Sequence, residues 1–161
     1  MVSTKPLWIE AEQIADYLSL QAGDIGALVL PLHYSYGLSV LNSHLAVGAA
    51  IWMPGTSVLE PAFLDDFSAA RCTSLAGVPH SYELLEQRGF REQHYPDLRF
   101  MTVAGGRMEP EATRRYHVWL QNEGQRFYVM YGQTEATVRI AYVPPEHRPG
   151  SADRIGTGAG R

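Results

Sequence analysis

Short apolar runs alternate with segments of helical periodicity through most of the chain. The apolar runs are short enough for buried strands and fall at residues 25–30, 49–53, 72–77, 99–103 and 127–130. Helices are predicted at residues 8–20, 36–47, 61–70, 79–87 and 109–122. Strands that alternate with helices need crossover connections, which favour parallel pairing and helices on both faces of the sheet. The sequence therefore predicts a three-layer α/β fold, αβα, with a mostly parallel sheet.

The last part of the chain departs from this alternation. Residues 137–143 are a candidate further strand, whereas residues 144–161 are rich in Pro, Gly and Arg and are expected to be irregular. A length of 161 residues fits one α/β unit that spans the whole chain.

Composition excludes several classes of function. A formal net charge of −4 without a Lys/Arg-rich run argues against nucleic-acid or anionic-membrane binding. The single cysteine, Cys72, excludes an internal disulfide framework and is expected to be a small core residue. The sequence shows neither a signal-peptide pattern nor an apolar stretch of membrane-spanning length. A cytoplasmic protein is the resulting expectation.

The five residues from Tyr131 to Glu135 follow a short apolar run and carry a ring, a glycine, an amide, a hydroxyl and a carboxylate. An aromatic ring can stack on a base, a hydroxyl can donate to phosphate, and a carboxylate is a ligand that Mg²⁺ prefers. Loops at the carboxyl ends of strands are where open α/β sheets bind ligands. The alternative is a Tyr-Gly turn with polar surface residues.

Four segments together, in this order, resemble the adenylate-forming superfamily, which includes acyl-CoA synthetases, peptide-synthetase adenylation domains and firefly-type luciferases. The segments are LPLHYSYGL at 30–38, GVP at 77–79, VAGGR at 103–107 and YGQTE at 131–135. The resemblance extends from about residue 7 to residue 161. It implies the large N-terminal domain of such an enzyme, which uses ATP and Mg²⁺ to join a carboxylate to AMP and then transfers the acyl group to a thiol, usually that of coenzyme A.

The resemblance also assigns roles to individual residues. Tyr131 would stack on adenine, Thr134 would hydrogen-bond the α-phosphate, and Glu135 would help to hold Mg²⁺. Thr134 and Glu135 are therefore the candidate catalytic residues, and Glu135 is the candidate metal ligand. The other implied nucleotide contacts are Gly105, Gly106, Arg107, Gly132 and Gln133, of which the last two also border the acyl pocket. The implied residues of the substrate pocket are His33, Tyr34, Tyr36 and Gly37.

Each of these residues also has a structural interpretation. His33 could be satisfied by a neighbouring carbonyl at the end of a strand, and Tyr34 and Tyr36 could equally be core aromatics. Gly105 and Gly106 could form only a turn that needs positive φ. The remaining histidines show no metal-ligand spacing and are expected to be structural or solvated.

Several features depart from the resemblance. The sequence has no Ser/Thr/Gly-rich phosphate loop, ribose-binding aspartate or terminal catalytic lysine, so the chain is expected to be a central piece that is inactive alone. His33 stands one position earlier than the histidine of many members, and Arg107 replaces a small residue. The alternative is a binding or interaction module, or a piece of an amino-acid adenylation domain. Apolar faces that the rest of the domain normally covers would then be exposed and would favour self-association. The identity of the carboxylate substrate remains open.

Overall fold

The structure is a computed structural model that describes residues 4–133, 137–143 and 157–158, with side chains from residue 8 to residue 131. Within these residues the helices are α1 Thr4–Leu18, α2 Ser35–Ala46, α3 Ala62–Ala69, α4 Pro79–Gln87 and α5 Pro110–Asn122. The strands are β1 Ile25–Ala27, β2 Ala50–Trp52, β3 Ser74–Gly77, β4 Phe100–Val103, β5 Arg126–Gln133, β6 Thr137–Val143 and β7 Thr157–Gly158. A 3₁₀ turn, Phe90–Glu92, precedes β4.

The strands form one sheet in the order β2-β1-β3-β4-β5-β6-β7. The pairings among β2, β1, β3, β4 and β5 are all parallel, whereas β6 and β7 add to the edge in antiparallel fashion. A helix connects each pair of consecutive parallel strands, as crossover connections require. The predicted mostly parallel α/β sheet is confirmed.

Helices cover both faces of the sheet. Buried residues of α1 and α2 pack against Phe100 and Tyr128, whereas those of α3, α4 and α5 pack against Met101 and Phe127. Neighbouring residues of β4 and β5 therefore enter opposite cores, as the period of two along a strand dictates. This arrangement gives the three predicted layers.

Local sequence signals explain where several helices begin and end. Gly48, with φ of 75°, follows the last residues of α2, as predicted for a glycine that ends a helix. Pro79 opens α4 at a position where its missing N–H costs no helical hydrogen bond. The Glu109 carboxylate accepts a hydrogen bond of 2.9 Å from the Ala112 N–H and so caps α5.

Predicted and observed boundaries differ at several elements, including the start of α1, which lies at Thr4 rather than at residue 8. β1 ends at Ala27 rather than at residue 30, because its register with the edge strand β2 ends at the pair Ala27–Trp52. β5 continues through Tyr131 and Gly132 to Gln133, since β6 pairs with it beyond the end of β4, so these residues do not lie in a loop. The predicted irregular segment 144–161 contains the two-residue strand β7.

Candidate active site at the carboxyl edge of the sheet

The strand order reverses beside β1, which lies between β2 and β3. The chain leaves β1 through α2 on one face, and it leaves β3 through α4 on the other. Connections that leave to opposite faces open a crevice at the carboxyl ends of the two central strands, where open α/β sheets bind ligands. The segments that border this crevice follow β1 and β3.

Gly105, which lies after β4, brings these two segments together with its own. It has φ of 78°, a conformation that favours glycine. A Cβ atom on Gly105 would overlap the Tyr34 hydroxyl and lie 3.2 Å from Cγ1 of Val78, while a Cβ on Gly106 would lie 3.3 Å from Cγ of Pro79. The segments after β1, β3 and β4 therefore meet at the glycine pair, with no room for a side chain on Gly105.

The turn before α2 is held against the first turn of that helix. The Tyr34 N–H donates to the Pro31 carbonyl at 3.1 Å, and the Leu38 N–H donates to the Tyr34 carbonyl at 3.0 Å. Gly37 is buried, and a Cβ there would overlap the Pro31 carbonyl oxygen. Gly37 thus allows the close approach that places Tyr34 beside Gly105.

Tyr36 lies in the core rather than on an open pocket wall. Its side chain is 3% exposed, and its hydroxyl lies 2.6 Å from Oγ1 of Thr102 and 3.0 Å from the Thr102 carbonyl oxygen. The Tyr82 hydroxyl donates to the same carbonyl at 2.6 Å. Of the two interpretations of Tyr36, the structure therefore matches the core aromatic, although its hydroxyl is buried and not at the surface.

The remaining predicted residues around the crevice differ in exposure. His33 and Arg107 are exposed, and Tyr34 is half-buried. The Tyr34 ring packs edge-on against the Tyr36 ring, with 6.2 Å between the ring centroids and an interplanar angle of 81°. Tyr34 therefore forms the layer between the exposed turn and the core.

Tyr131 reaches the same edge of the sheet from β5. Val103 of β4 and Val129 of β5 are paired, and Gly105 and Tyr131 each lie two residues further along. The Tyr131 side chain is 48% exposed. The side chain of Gln133 and the surroundings of Gly132 lie outside the described residues, as do Thr134 and Glu135 altogether. The assigned catalytic and metal roles stay predictions.

Burial raises the pKa of two groups in the core on the α4 face of the sheet. Burial of Tyr82, together with the nearby Tyr36 and Tyr116 hydroxyls, raises its pKa well above the ordinary value. The Tyr82 hydroxyl thus stays a hydrogen-bond donor to the Thr102 carbonyl even at alkaline pH. Burial also raises the pKa of the Cys72 thiol to about 12, which agrees with a core residue.

Thr102 and Tyr82 are the residues of this region that sequence reasoning missed. Thr102 is a polar residue inside the apolar β4, and a polar group at such a position needs a buried partner. The sequence contained that signal. The two tyrosines whose hydroxyls contact Thr102 come from α2 and α4, and spacing in the sequence could not identify them.

Two grooves lie at opposite edges of the described part of the sheet. One, of 320 Å³, runs between residues 28–31 and 53–58 at the carboxyl ends of β1 and β2. The other, of 420 Å³, lies at the amino ends of β4 and β5 and is lined by His94, Arg99, Glu123 and Arg126 among others. The first groove adjoins the crevice through Pro31.

No group of three or more His, Cys, Asp or Glu side chains in the part that the structure describes could hold a metal ion. None of the helices seen within residues 4–133 is long and apolar enough to cross a membrane.

The structure is thus a mostly parallel α/β sheet with a candidate site at its carboxyl edge, made of a glycine pair, a half-buried tyrosine and an exposed tyrosine. The sequence profile of the AMP-binding enzyme family matches residues 1–159. The chain belongs to that family.

Individual relatives agree with this membership. Acyl-coenzyme A synthetase ACSM4, mitochondrial, of Rattus norvegicus is 27% identical over an alignment of 117 residues, which covers 66% of this chain and 20% of the rat protein. The structure of the ATP-bound RpMatB-BxBclM chimera B3 is 25% identical with a TM-score of 0.77, and 98% of this chain matches 30% of the chimera.

A third relative shares the fold. The Vibrio cholerae adenylation domain AlmE, solved in complex with glycyl-adenosine-5'-phosphate, is 23% identical with a TM-score of 0.70. The match covers 94% of this chain and 28% of that protein. This chain thus spans about a fifth to a third of the length of these relatives.

Proposed function

We propose that this chain is part of an ATP-dependent carboxylate-activating enzyme of the acyl-CoA synthetase type. The observation that carries the proposal is the meeting of Tyr34, Gly105 and Gly106 at the carboxyl edge of the sheet, with Tyr131 at the same edge on the adjacent strand. Membership of the AMP-binding enzyme family, the rat acyl-CoA synthetase and the ATP-bound chimera support the assignment.

The described residues fit an adenine ring. The exposed Tyr131 ring offers a face for stacking, and the exposed glycine pair leaves the backbone after β4 open to close approach. We assign Tyr131, Gly105 and Gly106 to the adenine and Arg107 to the nucleotide. Gly132 and Gln133 border the substrate.

The proposed reaction has two steps. A carboxylate oxygen attacks the α-phosphorus of ATP, forming a carboxyl–phosphate bond, and the bond to the leaving pyrophosphate breaks. A thiol, proposed to be that of coenzyme A, then attacks the acyl carbon and displaces AMP. Both steps depend on positioning and on neutralisation of phosphate charge.

Thr134 and Glu135 would serve this chemistry directly. We assign the Thr134 hydroxyl to the α-phosphate, where it would donate a hydrogen bond. We assign the Glu135 carboxylate to Mg²⁺, because carboxylate oxygen is the ligand type that this ion takes. Bound Mg²⁺ would supply charge neutralisation at the phosphates.

The proposal includes the chain's dependence on the rest of its enzyme. The solved relatives are about three times as long as the matched part, so we propose that the 161 residues alone are inactive. Exposed apolar side chains, among them Trp8, Ile9 and Leu45, would then favour self-association of the isolated chain. A role in fatty-acid metabolism is part of the proposal, and the compartment stays open because the rat relative is described as mitochondrial.

Carboxylate-dependent exchange between ATP and pyrophosphate tests the function. In the full-length enzyme that carries this chain, Glu135→Ala is expected to abolish exchange, because phosphate charge would no longer be neutralised. Glu111→Ala is the matched control, since Glu111 is an exposed carboxylate on α5 that forms an ion pair of 2.7 Å with Arg114. Unchanged exchange in Glu135→Ala would contradict the assigned role.

A further inference from the structure

We propose that the Tyr82 hydroxyl is a positioning group for nucleotide binding, because from α4 it fixes the end of β4 from which Gly105 and Gly106 extend. The inference rests on the proposed function, since it gives a role to a residue behind the segment that we assign to adenine. A buried network of hydroxyls around Thr102 carries it.

The carbonyl oxygen of Thr102 is contacted from both faces of the sheet. The Tyr82 hydroxyl donates to it at 2.6 Å from the core on the α4 face, and the Tyr36 hydroxyl donates to it at 3.0 Å from the core on the α2 face. Oγ1 of Thr102 lies 2.6 Å from the Tyr36 hydroxyl oxygen and can donate to it. All three hydroxyl protons of the network thus have an acceptor.

Gly77 of β3 gives the Tyr82 ring the space that this contact needs. Gly77 is paired with Val103 in the sheet, and a Cβ on it would lie 3.0 Å from Cε2 of Tyr82 and 3.1 Å from Cβ of Ser81. Both distances are shorter than ordinary van der Waals contact between carbon atoms. The absence of a side chain on Gly77 therefore lets the Tyr82 ring lie against β3 while its hydroxyl reaches β4.

The network lies just before the chain leaves the sheet. β4 ends at Val103, the Ala104 N–H donates to the Gly77 carbonyl at 3.3 Å, and Gly105 then turns with φ of 78°. Gly105 and Gly106 are exposed, so their position depends on what holds the strand behind them. A segment that is ordered before binding loses less conformational entropy when the ligand arrives. The hydroxyl contacts at Thr102 provide this order.

Tyr116 has a buried hydroxyl in the same core that does not contact β4. Its side chain is 1% exposed, its ring centroid lies 4.9 Å from that of Tyr82, and its hydroxyl donates to the Tyr82 carbonyl at 3.1 Å. Tyr116→Phe therefore removes a hydroxyl from this core but leaves the Thr102 carbonyl contacts in place. It is the matched control for Tyr82→Phe, because hydroxyls that serve only stability should give similar losses.

Amide hydrogen exchange in the full-length enzyme tests the positioning without reference to the nucleotide. The peptide that covers residues 103–107 should exchange at least about threefold faster in Tyr82→Phe than in wild type, on the scale of one lost hydrogen bond. Tyr36→Phe, which removes the hydroxyl on the other face, should act in the same direction. The rate should stay unchanged in Tyr116→Phe. Circular dichroism confirms that each variant is folded.

Calorimetry with ATP and Mg²⁺ tests the consequence for binding. The Kd for ATP should rise about threefold or more in Tyr82→Phe and stay nearly unchanged in Tyr116→Phe. The kcat of ATP–pyrophosphate exchange should stay close to wild type in both, because neither variant alters a group assigned to the phosphates.

Three results would overturn the inference. They are unchanged amide exchange at residues 103–107 in both Tyr82→Phe and Tyr36→Phe, equal effects in Tyr82→Phe and Tyr116→Phe, and an unchanged Kd for ATP despite faster amide exchange. A wild-type enzyme that binds no ATP contradicts the proposed function instead, whereas the amide-exchange result by itself decides whether the hydroxyls hold the segment.

Discussion

Gly105→Ala is expected to lower the stability of the fold and to displace Tyr34 from the candidate site. The substitution adds one methyl group at φ of 78°, which costs about 1 kcal/mol for a residue with a Cβ. The methyl group would also overlap the Tyr34 hydroxyl and lie 3.2 Å from Cγ1 of Val78. Overpacking of this kind costs about 1 kcal/mol or more in addition. Tyr34 is expected to move from its position beside the glycine.

Gly124→Ala is the matched control for backbone strain. Gly124 has φ of 72°, and a Cβ there would meet nothing within 4 Å. Chemical denaturation should therefore show a loss of about 1 kcal/mol in the free energy of unfolding for Gly124→Ala, and roughly twice that for Gly105→Ala. The difference between the two variants isolates the overlap with Tyr34.

Tyr34→Phe completes the test. Removing the hydroxyl relieves the overlap, since the next ring atom, Cζ, would lie 3.3 Å from the new Cβ. Gly105→Ala/Tyr34→Phe should recover most of the excess loss in stability and part of the loss in affinity for ATP, measured by calorimetry. Equal losses in Gly105→Ala and Gly124→Ala, or no recovery in the double variant, would refute the contact on which the site geometry depends.

Two further predictions concern charged and reactive groups in the core. Burial raises the pKa of the Asp24 carboxyl, but hydrogen bonds from Arg99, the Gln21 N–H and Thr73 outweigh it and hold the pKa below its ordinary value. A carboxyl whose pKa is lowered by folding stabilises the native state at pH values above its unfolded-state pKa, which is near 4. Asp24→Asn should therefore cost about 2 kcal/mol of stability at pH 7. This loss should shrink as the pH falls below the unfolded-state pKa. A constant loss in denaturation curves down to pH 2, on the order of two units below that pKa, would contradict this. Burial raises the pKa of the Cys72 thiol to about 12. At pH 8, Cys72 should therefore react with a thiol reagent at least about a hundredfold more slowly in the native protein than in denaturant. Rapid labelling of the native protein would contradict this, because it would show an accessible thiol.

Local signals in the sequence were sufficient for the helices and for the layer order. α4 is predicted at its observed bounds because Pro79 fixes its first turn, and Gly48 marks the end of α2. Runs of apolar residues also identified the five parallel strands, since strands buried on both faces are apolar throughout.

Long-range pairing and packing account for what could not be predicted. β5 extends to Gln133 because β6 pairs with it. Residues 127–133 contain no local signal that predicts this pairing. Tyr34 and Tyr36 looked equivalent in sequence, yet one is half-buried beside Gly105 and the other is fixed to Thr102 in the core. The environments of the two tyrosines differ because α2 begins between them, at Ser35.

The affinity of the full-length enzyme for ATP with and without the Tyr131 ring tests most directly whether the edge of the sheet at β4 and β5 is the adenine site. Stacking of a base on an aromatic side chain is worth roughly 1–3 kcal/mol. Calorimetry should therefore show a Kd for ATP that is about tenfold or more higher in Tyr131→Ala, and nearly unchanged in Tyr131→Phe. Equal affinity in wild type and Tyr131→Ala would contradict the account.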